Sequence, residues 1–220
     1  SRSSFPTSLV GHLTTVLPTD AVIVAGGRGT RLQGVLPDGW PKVMAPINGR
    51  PFLEYVIKYL YAYGVRNIVL ALGYGADHVR RFVGEADWPD DLKVRSAVEP
   101  RPRGTGGGLR YVLPMLTGEV VLAVNGDSIS DVDPCRLLDY HRESCAAVTI
   151  ALARVPDATR YGTVECDARG CVLRFTEKQA TRGPALLNSG IYAISYDVIR
   201  GLAGHTGNSW RRDVLTPLVC

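Results

Sequence analysis

No apolar run in this 220-residue chain approaches the roughly 18–20 residues needed to cross a bilayer, so no membrane-spanning helix is expected. The opening residues Ser1-Arg2-Ser3-Ser4-Phe5-Pro6 have neither a basic head nor a continuous apolar core, and no signal peptide is read there. Five cysteines (135, 145, 166, 171 and 220) form no C-x-x-C pair, and their odd number argues against a disulfide framework. Reduced thiols in a cytoplasmic protein are the expectation. The four histidines (12, 78, 141 and 205) show no metal-ligand spacing. Basic runs and aromatic-interleaved stripes are also missing, so a net charge of +4 excludes a nucleic-acid signature. Lysine is scarce: Lys42, Lys58, Lys93 and Lys178 stand among 25 basic residues, and two of these four fall inside the motifs below. A hydrophobic content of 45% over this length suits one domain with a sizeable core.

What is present centres on Ala21-Val22-Ile23-Val24-Ala25-Gly26-Gly27-Arg28-Gly29-Thr30-Arg31-Leu32, completed by Pro41-Lys42. Ala21 to Ala25 has the length and β-branched content of a buried strand. It empties into a loop with three glycines in four residues, where backbone N–H groups can approach an anion unhindered by a Cβ. Arg31 and Lys42 add two cations, and a carboxylate arrives at Asn125-Gly126-Asp127. That set reads as a phosphate cradle with a metal ligand opposite it. Read as a dinucleotide fingerprint, Gly27-Arg28-Gly29-Thr30-Arg31-Leu32 lacks the third glycine and the acidic residue after a second strand. Read as a P-loop, it lacks the Gly-Lys-Ser/Thr ending. A plain glycine turn remains the simplest alternative for the glycines alone.

Residues 1–19 have no sustained period and read as an N-terminal extension. Leu36 to Pro41 is turn material. A helix is expected from Pro51, in the favoured first-turn position, with Phe52, Leu53, Val56, Ile57 and Leu60 at helical spacing and Gly64 as its stop. Strands follow at Asn67–Leu72, Lys93–Val98 and Val120–Asn125, with helices at Ala76–Val83 and Thr105–Leu116. Buried strands alternating with helices imply a parallel sheet covered on both faces. Ligands of such sheets collect at the carboxyl ends of the strands, which puts Gly26–Arg31, Glu99–Gly108 and Asp127 on one rim. From Ala146 the pattern turns to short strands at Val148–Ala153, Gly162–Cys166, Val172–Thr176 and Leu187–Ala193, with a hairpin turn at Asp167–Gly170. This half is expected as a mixed or antiparallel extension closing over the rim. Residues 20–220 are then one domain of two lobes, the first over about 20–145 and the second over about 146–220.

The string G-G-x-G-T-R-L with Pro41-Lys42 resembles the signature of the sugar-1-phosphate nucleotidyltransferases, and five further segments match that family in order. Glu99-Pro100 with Gly104-Thr105-Gly106-Gly107 is similar to its base-recognition segment, and Asn125-Gly126-Asp127-Ser128 to its metal motif. Tyr161-Gly162-Thr163-Val164-Glu165, Phe175-Thr176-Glu177-Lys178 and Asn188-Ser189-Gly190-Ile191-Tyr192 resemble its sugar-site motifs. Pro46 to Leu53 and Val155 to Thr163 are similar to the branch of guanylyltransferases acting on D-glycero-D-manno-heptose 1-phosphate, with mannose-1-phosphate guanylyltransferases nearby. The resemblance implies an α/β, mostly parallel, Rossmann-like three-layer sheet of the nucleotide-diphospho-sugar transferase type, with the lobe over about 20–145 binding the nucleotide and a smaller mixed or antiparallel lobe over about 146–220 binding the sugar.

It also implies the reaction: the phosphate of a sugar 1-phosphate displaces pyrophosphate from the α-phosphorus of a nucleoside triphosphate, GTP by this branch. On those terms Ala25, Gly26, Gly27, Gly29 and Thr30 cradle the triphosphate, and Arg31 grips the β,γ-phosphates. Lys42 neutralises the attacking phosphate, and Asp127 holds Mg²⁺. Gly104, Thr105 and Gly106 lie at the base, and Glu99 is open between the base, the ribose and an ion pair with a neighbour such as Arg101. Asn125, Tyr161, Gly162, Glu177, Lys178 and Asn188 serve the sugar phosphate. A homo-oligomer is left open, and neither nucleic acid nor membrane is expected as a partner.

One feature of the family has no counterpart. Its late string with a second metal-binding aspartate is not matched by Leu215-Thr216-Pro217-Leu218-Val219-Cys220, and Asp213 falls in a helix-like stretch. Either the sequence is truncated before that string, or the metal is held with one carboxylate fewer. This leaves a nucleotide-sugar-binding homologue without catalysis, a sensor or regulatory subunit, as the rival reading, beside a pyrophosphorylase using another nucleoside triphosphate and a hexose 1-phosphate. A glycosyltransferase would use an Asp-x-Asp motif, which Asp131-Val132-Asp133 spells, but Asp133 stands where it would cap a helix beginning near Pro134.

Overall fold

The computed structural model describes residues 19–27, 29, 34, 36–100, 104–159, 161–176, 183–201 and 209–219, with backbone alone at 105 and 211–213. Residues 1–18 of the extension expected at 1–19, and Thr30, Arg31, Glu177 and Lys178 among the candidate site residues, lie outside this set.

The strand β1 (Asp20–Ala25) lies inside the sheet because it is apolar on both faces: Ala21, Val22 and Ile23 are wholly buried. Full burial of a side chain such as Ile23 contributes roughly 1.5–3 kcal/mol. The chain forms a short hairpin, β2 (Pro46–Ile47) and β3 (Arg50–Pro51), then α1 (Phe52–Ala62), β4 (Asn67–Leu72), α2 (Ala76–Glu85), β5 (Lys93–Val98), α3 (Gly104–Val112) and β6 (Val120–Asn125). After α4 (Pro134–Glu143) come β7 (Val148–Val155), β8 (Thr163–Cys166), β9 (Val172–Thr176), β10 (Ala185–Ser195) and α5 (Tyr196–Gly201). A π-helical turn then covers Trp210–Leu215.

The main sheet runs β5-β4-β1-β6-β10-β8-β9, with β7 paired to β10. Strands β5, β4, β1 and β6 are parallel, and their register sets Val98, Leu72, Ala25 and the Val24–Asn125 pair level, so four loops leave from one rim. Alternate residues of β1 feed two cores. Ala21, Ile23 and Ala25 pack with Leu53, Ile57, Val79 and Leu138 of α1, α2 and α4. Val22 and Val24 face Leu109 and Val112 of α3, Ile199 of α5 and Trp210. The result is three layers, as the alternation predicts.

The second half continues this same sheet. Ile191 to Ser195 of β10 pair antiparallel with β6 and Gly190 lies level with Asn125, while Ala185 to Ser189 run on past its carboxyl end. Five residues of strand reach roughly 16 Å beyond the rim. Strand β7 follows β10 along that projection, and β8 pairs with it at Leu186. A wall therefore stands over the rim on one side.

Two local readings are corrected. Pro51 is the residue before the helix rather than its first turn, because its extended backbone (φ −58°, ψ 139°) closes the β2–β3 hairpin. That hairpin turns at Asn48 and Gly49, both with positive φ, the conformation that a two-residue turn demands. The helix expected at Thr105–Leu116 begins at Gly104 and ends at Val112, where Pro114 takes the chain into a 3-10 turn over Leu113–Met115. No helix among the described residues is long and apolar enough to cross a membrane.

Candidate active site

Strand β1 sits where the sheet's connections diverge: the chain leaves β1 toward β4 on one side and returns from β5 to β6 on the other. Such a switch point opens a crevice at the carboxyl ends of the two strands. At that end Gly26, Gly27 and Gly29 follow β1 and Asp127 follows β6.

Asp127 is aimed by a tight exit from β6. The Gly126 N–H donates to Val24 O at 2.9 Å. A Cβ at Gly126 would meet Ile23 Cγ2 and Val43 Cγ1 at 3.0 Å and Val24 O at 3.1 Å, so the turn closes flush against β1. Further along, the hydroxyl of Tyr59 on α1 donates to Val132 O, and Asp133 caps α4 by accepting from the N–H groups of Cys135 and Arg136. Burial pushes the Tyr59 phenol well above its ordinary range, so it stays a donor. The loop from Asp127 to Asp133 is thus tied at both ends, and Asp133 is occupied as a helix cap.

Lys42 opens a short 3-10 turn, Lys42–Met44, whose Val43 and Met44 are buried. Its approach is fixed by close backbone packing. A Cβ at Gly75 would lie 2.6 Å from Gly39 O and from Pro41 Cδ, and Gly75 has φ +65°. One at Gly29, φ +62°, would lie 2.6 Å from Lys42 Cβ, so the glycine loop lies directly on the lysine stem. Gly26 in turn accepts the Tyr74 N–H from the loop after β4.

Lys42 Nζ reaches Asp127 Oδ2 at 2.6 Å, and the two side chains are 41% and 37% exposed. Ser128 Oγ donates to the other oxygen at 3.3 Å. So exposed a pair is worth at most about 1 kcal/mol of stability. Asp127 offers hard carboxylate oxygen at the mouth, and one of those oxygens already receives a cation, the Lys42 ammonium. That donor suits a divalent ion whose remaining ligands come from phosphate. Among the described residues no group of three or more His, Cys, Asp or Glu could hold a metal alone.

On the β5 side, Glu99 follows the strand with its N–H on Leu72 O. Its carboxylate lies over α3: a Cβ at Gly108 would be 3.0 Å from Glu99 Oε1. Glycine in a helix costs about 1 kcal/mol relative to alanine, and here Gly108 admits Glu99 and brings α3 onto Ala71. Gly104 starts α3 with φ +63°, and Gly106 is buried in its first turn.

The projecting wall contributes Asn188 and Gly190. Between Asn188 and Tyr192 the pairing of β10 with β7 slips: three residues on β10 face Ala151 alone. Gly190 takes φ +81° in this bulge and lies beneath Asn125, whose Nδ2 would be 2.6 Å from a Cβ there. The Asn188 carbonyl accepts from Gly190 N–H at 2.9 Å and its amide donates to Tyr192 OH at 2.9 Å. The single Leu186–Val164 pairing, continued two residues, sets Gly162 level with Asn188. Tyr161 stands 53% exposed just before β8. Sequence reasoning misses Tyr59, Gly190 and Tyr192: Gly190 and Tyr192 fall inside a sugar-site motif that singles out Asn188, and nothing local signals Tyr59.

The profile of the family described as "Nucleotidyl transferase" matches residues 20–215. The chain is 34% identical over 183 residues to the D-glycero-alpha-D-manno-heptose 1-phosphate guanylyltransferase of Campylobacter jejuni, covering 83% of this chain and 79% of that protein. It is 33% identical over 204 residues to the mannose-1-phosphate guanylyltransferase of Mycobacterium tuberculosis, covering 91% of this chain and 55% of that protein. The solved structure of HddC from Yersinia pseudotuberculosis complexed with GMP-PN superposes with a TM-score of 0.79 at 32% identity, over 90% of this chain and 85% of that one.

Proposed function

Since this chain belongs to the nucleotidyl transferase family, we propose that it joins the nucleoside monophosphate of GTP to a manno-heptose or mannose 1-phosphate and releases pyrophosphate. The observation that carries this reading is the meeting of Lys42 and Asp127, 2.6 Å apart, over a glycine loop at the switch point of the sheet. The names of the guanylyltransferase relatives support GTP and these sugars as the substrates.

The nucleophile is already an anionic phosphate oxygen, so the reaction needs no general base. One phosphate oxygen bonds to the α-phosphorus, the bond from that phosphorus to the β-phosphate oxygen breaks, and pyrophosphate carries away the charge. The obstacle is repulsion between two polyanions, which positioning and electrostatic stabilisation remove. Ala25, Gly26, Gly27, Gly29 and Thr30 hold the triphosphate along the loop. Arg31 holds the leaving pyrophosphate. Lys42 leaves Asp127 for the incoming sugar phosphate. Glu99, Gly104, Thr105 and Gly106 receive the base, while Asn125, Tyr161, Gly162, Glu177, Lys178 and Asn188 receive the sugar and its phosphate.

Nucleotidyltransferases of this family generally use a divalent metal. Asp127 is the residue to hold it, as Mg²⁺, and the ion supplies neutralisation of phosphate charge. We take residues 20–220 as one catalytic domain and the cytoplasm, where unpaired cysteines stay reduced, as its compartment.

The test is a panel of nucleoside triphosphates against several sugar 1-phosphates with Mg²⁺, read by mass spectrometry of the products. A GDP-sugar from a manno-configured sugar phosphate is expected. Binding of GDP-sugar without turnover from any pair overturns the catalytic reading.

A further inference from the structure

The bulge in β10 is held by one amide. Asn188 must turn its carbonyl toward the Gly190 N–H, so its NH₂ faces the Tyr192 hydroxyl. Both contacts are 2.9 Å, and Ser189 Oγ pins the bulge to Ala151 O at 2.7 Å. Tyr192 is 5% exposed. Its ring is set by Trp210 of the C-terminal turn, edge to face with centroids 5.9 Å apart. Among the described residues the buried Trp210 indole N–H has no hydrogen-bond partner, and Trp210 meets Tyr192 through its ring. The Asn188 contact leaves the phenol oxygen accepting, with its proton in place.

Resting on the function proposed above, we infer that Tyr192 is a positioning residue for the sugar-phosphate side of the mouth. Its hydroxyl fixes the Asn188 amide, and that amide holds the bulge that keeps Gly190 beneath Asn125. Asn188 thereby acts through the backbone it shapes, besides what its second amide N–H offers the sugar. Burial pushes the Tyr192 phenol up to about 12, over the opposing pull of the Asn188 bond and with a smaller push from the Asp127 charge, so it keeps its proton at working pH. A Trp210–Tyr192–Asn188 chain of contacts also ties the C-terminal turn to the site.

The test is Tyr192→Phe, which keeps the ring against Trp210 and removes one oxygen. Two readouts are taken. In hydrogen exchange followed by NMR, the Gly190 amide should exchange about tenfold faster, the equivalent of one neutral hydrogen bond, while β1 amides are unchanged. In kinetics with GTP and mannose 1-phosphate, KM for the sugar phosphate should rise about tenfold with KM for GTP unmoved. Asn188→Ala should reproduce both effects, and the double variant should add little to either single one. Wild-type exchange at Gly190 in Tyr192→Phe, or losses that add fully in the double variant, overturn the inference. The exchange arm decides it even if the wild-type protein turns over no sugar phosphate, an outcome that would count against the proposed function alone.

Discussion

Lys42 and Asp127, 85 residues apart in the chain, meet at 2.6 Å in solvent-accessible positions. An ion pair there adds at most about 1 kcal/mol to stability, so its residues are expected to matter for chemistry and not for the fold. Asp127→Asn should lower pyrophosphate release on the order of 10²-fold or more, and Lys42→Ala should raise KM for the sugar phosphate. Both should melt within a few degrees of wild type. Near-normal kcat in Asp127→Asn, or a melting point that collapses in either variant, contradicts these roles.

The exit from β6 has no room for a side chain. Gly126→Ala would bring its Cβ to 3.0 Å from Ile23 and Val43 and 3.1 Å from Val24 O. Overpacking of this kind costs about 1–3 kcal/mol. Urea denaturation should report that loss, together with a fall in activity from the displaced Asp127. Unchanged stability and activity would mean that the turn yields freely.

Asp133 accepts the Cys135 N–H at 2.8 Å and the Arg136 N–H at 3.3 Å as the cap of α4. Asp133→Ala should therefore cost about 1 kcal/mol of stability and leave KM for GTP unchanged. A glycosyltransferase using Asp131 and Asp133 for metal would instead lose activity outright, so the same variant tests the two readings against each other.

His141 is 3% exposed on α4, with its ring nitrogens 2.8 Å from Thr149 Oγ1 and 3.2 Å from Ser195 Oγ. Burial, aided by Arg142, holds its pKa below the ordinary histidine value. The unfolded chain, with a pKa of about 6.5, then binds the proton first as pH falls. Stability from this group is complete above that value and is lost on descending below it. Denaturant midpoints measured between pH 8 and pH 5 should fall with acid, and His141→Asn should flatten the slope. An equal slope in both proteins would assign the acid sensitivity elsewhere.

The parallel half of the fold was legible almost residue by residue. Asn67–Leu72, Lys93–Val98 and Val120–Asn125 are strands at the limits their sequence suggests, because each is a short run bounded by turn-forming or polar residues. The convergence of Gly26, Glu99 and Asp127 on one rim follows from that alternation. The bulge in β10 was not legible, since extra residues show only against the partner strand, and Leu187–Ala193 alone reads as an unbroken run. Tyr192 likewise looks like a core aromatic, and only the fold turns its hydroxyl to Asn188. The Asn48-Gly49 turn carries a hairpin signal, but strands of two residues on either side are too short to set a period.

The most direct measurement is pyrophosphate release by the purified protein with Mg²⁺, GTP and mannose or manno-heptose 1-phosphate, with each substrate omitted in turn. Release that requires both substrates and is lost in Asp127→Asn is the predicted result. Release from GTP alone at the same rate, or none with any sugar 1-phosphate while GDP-sugar still binds, would contradict it.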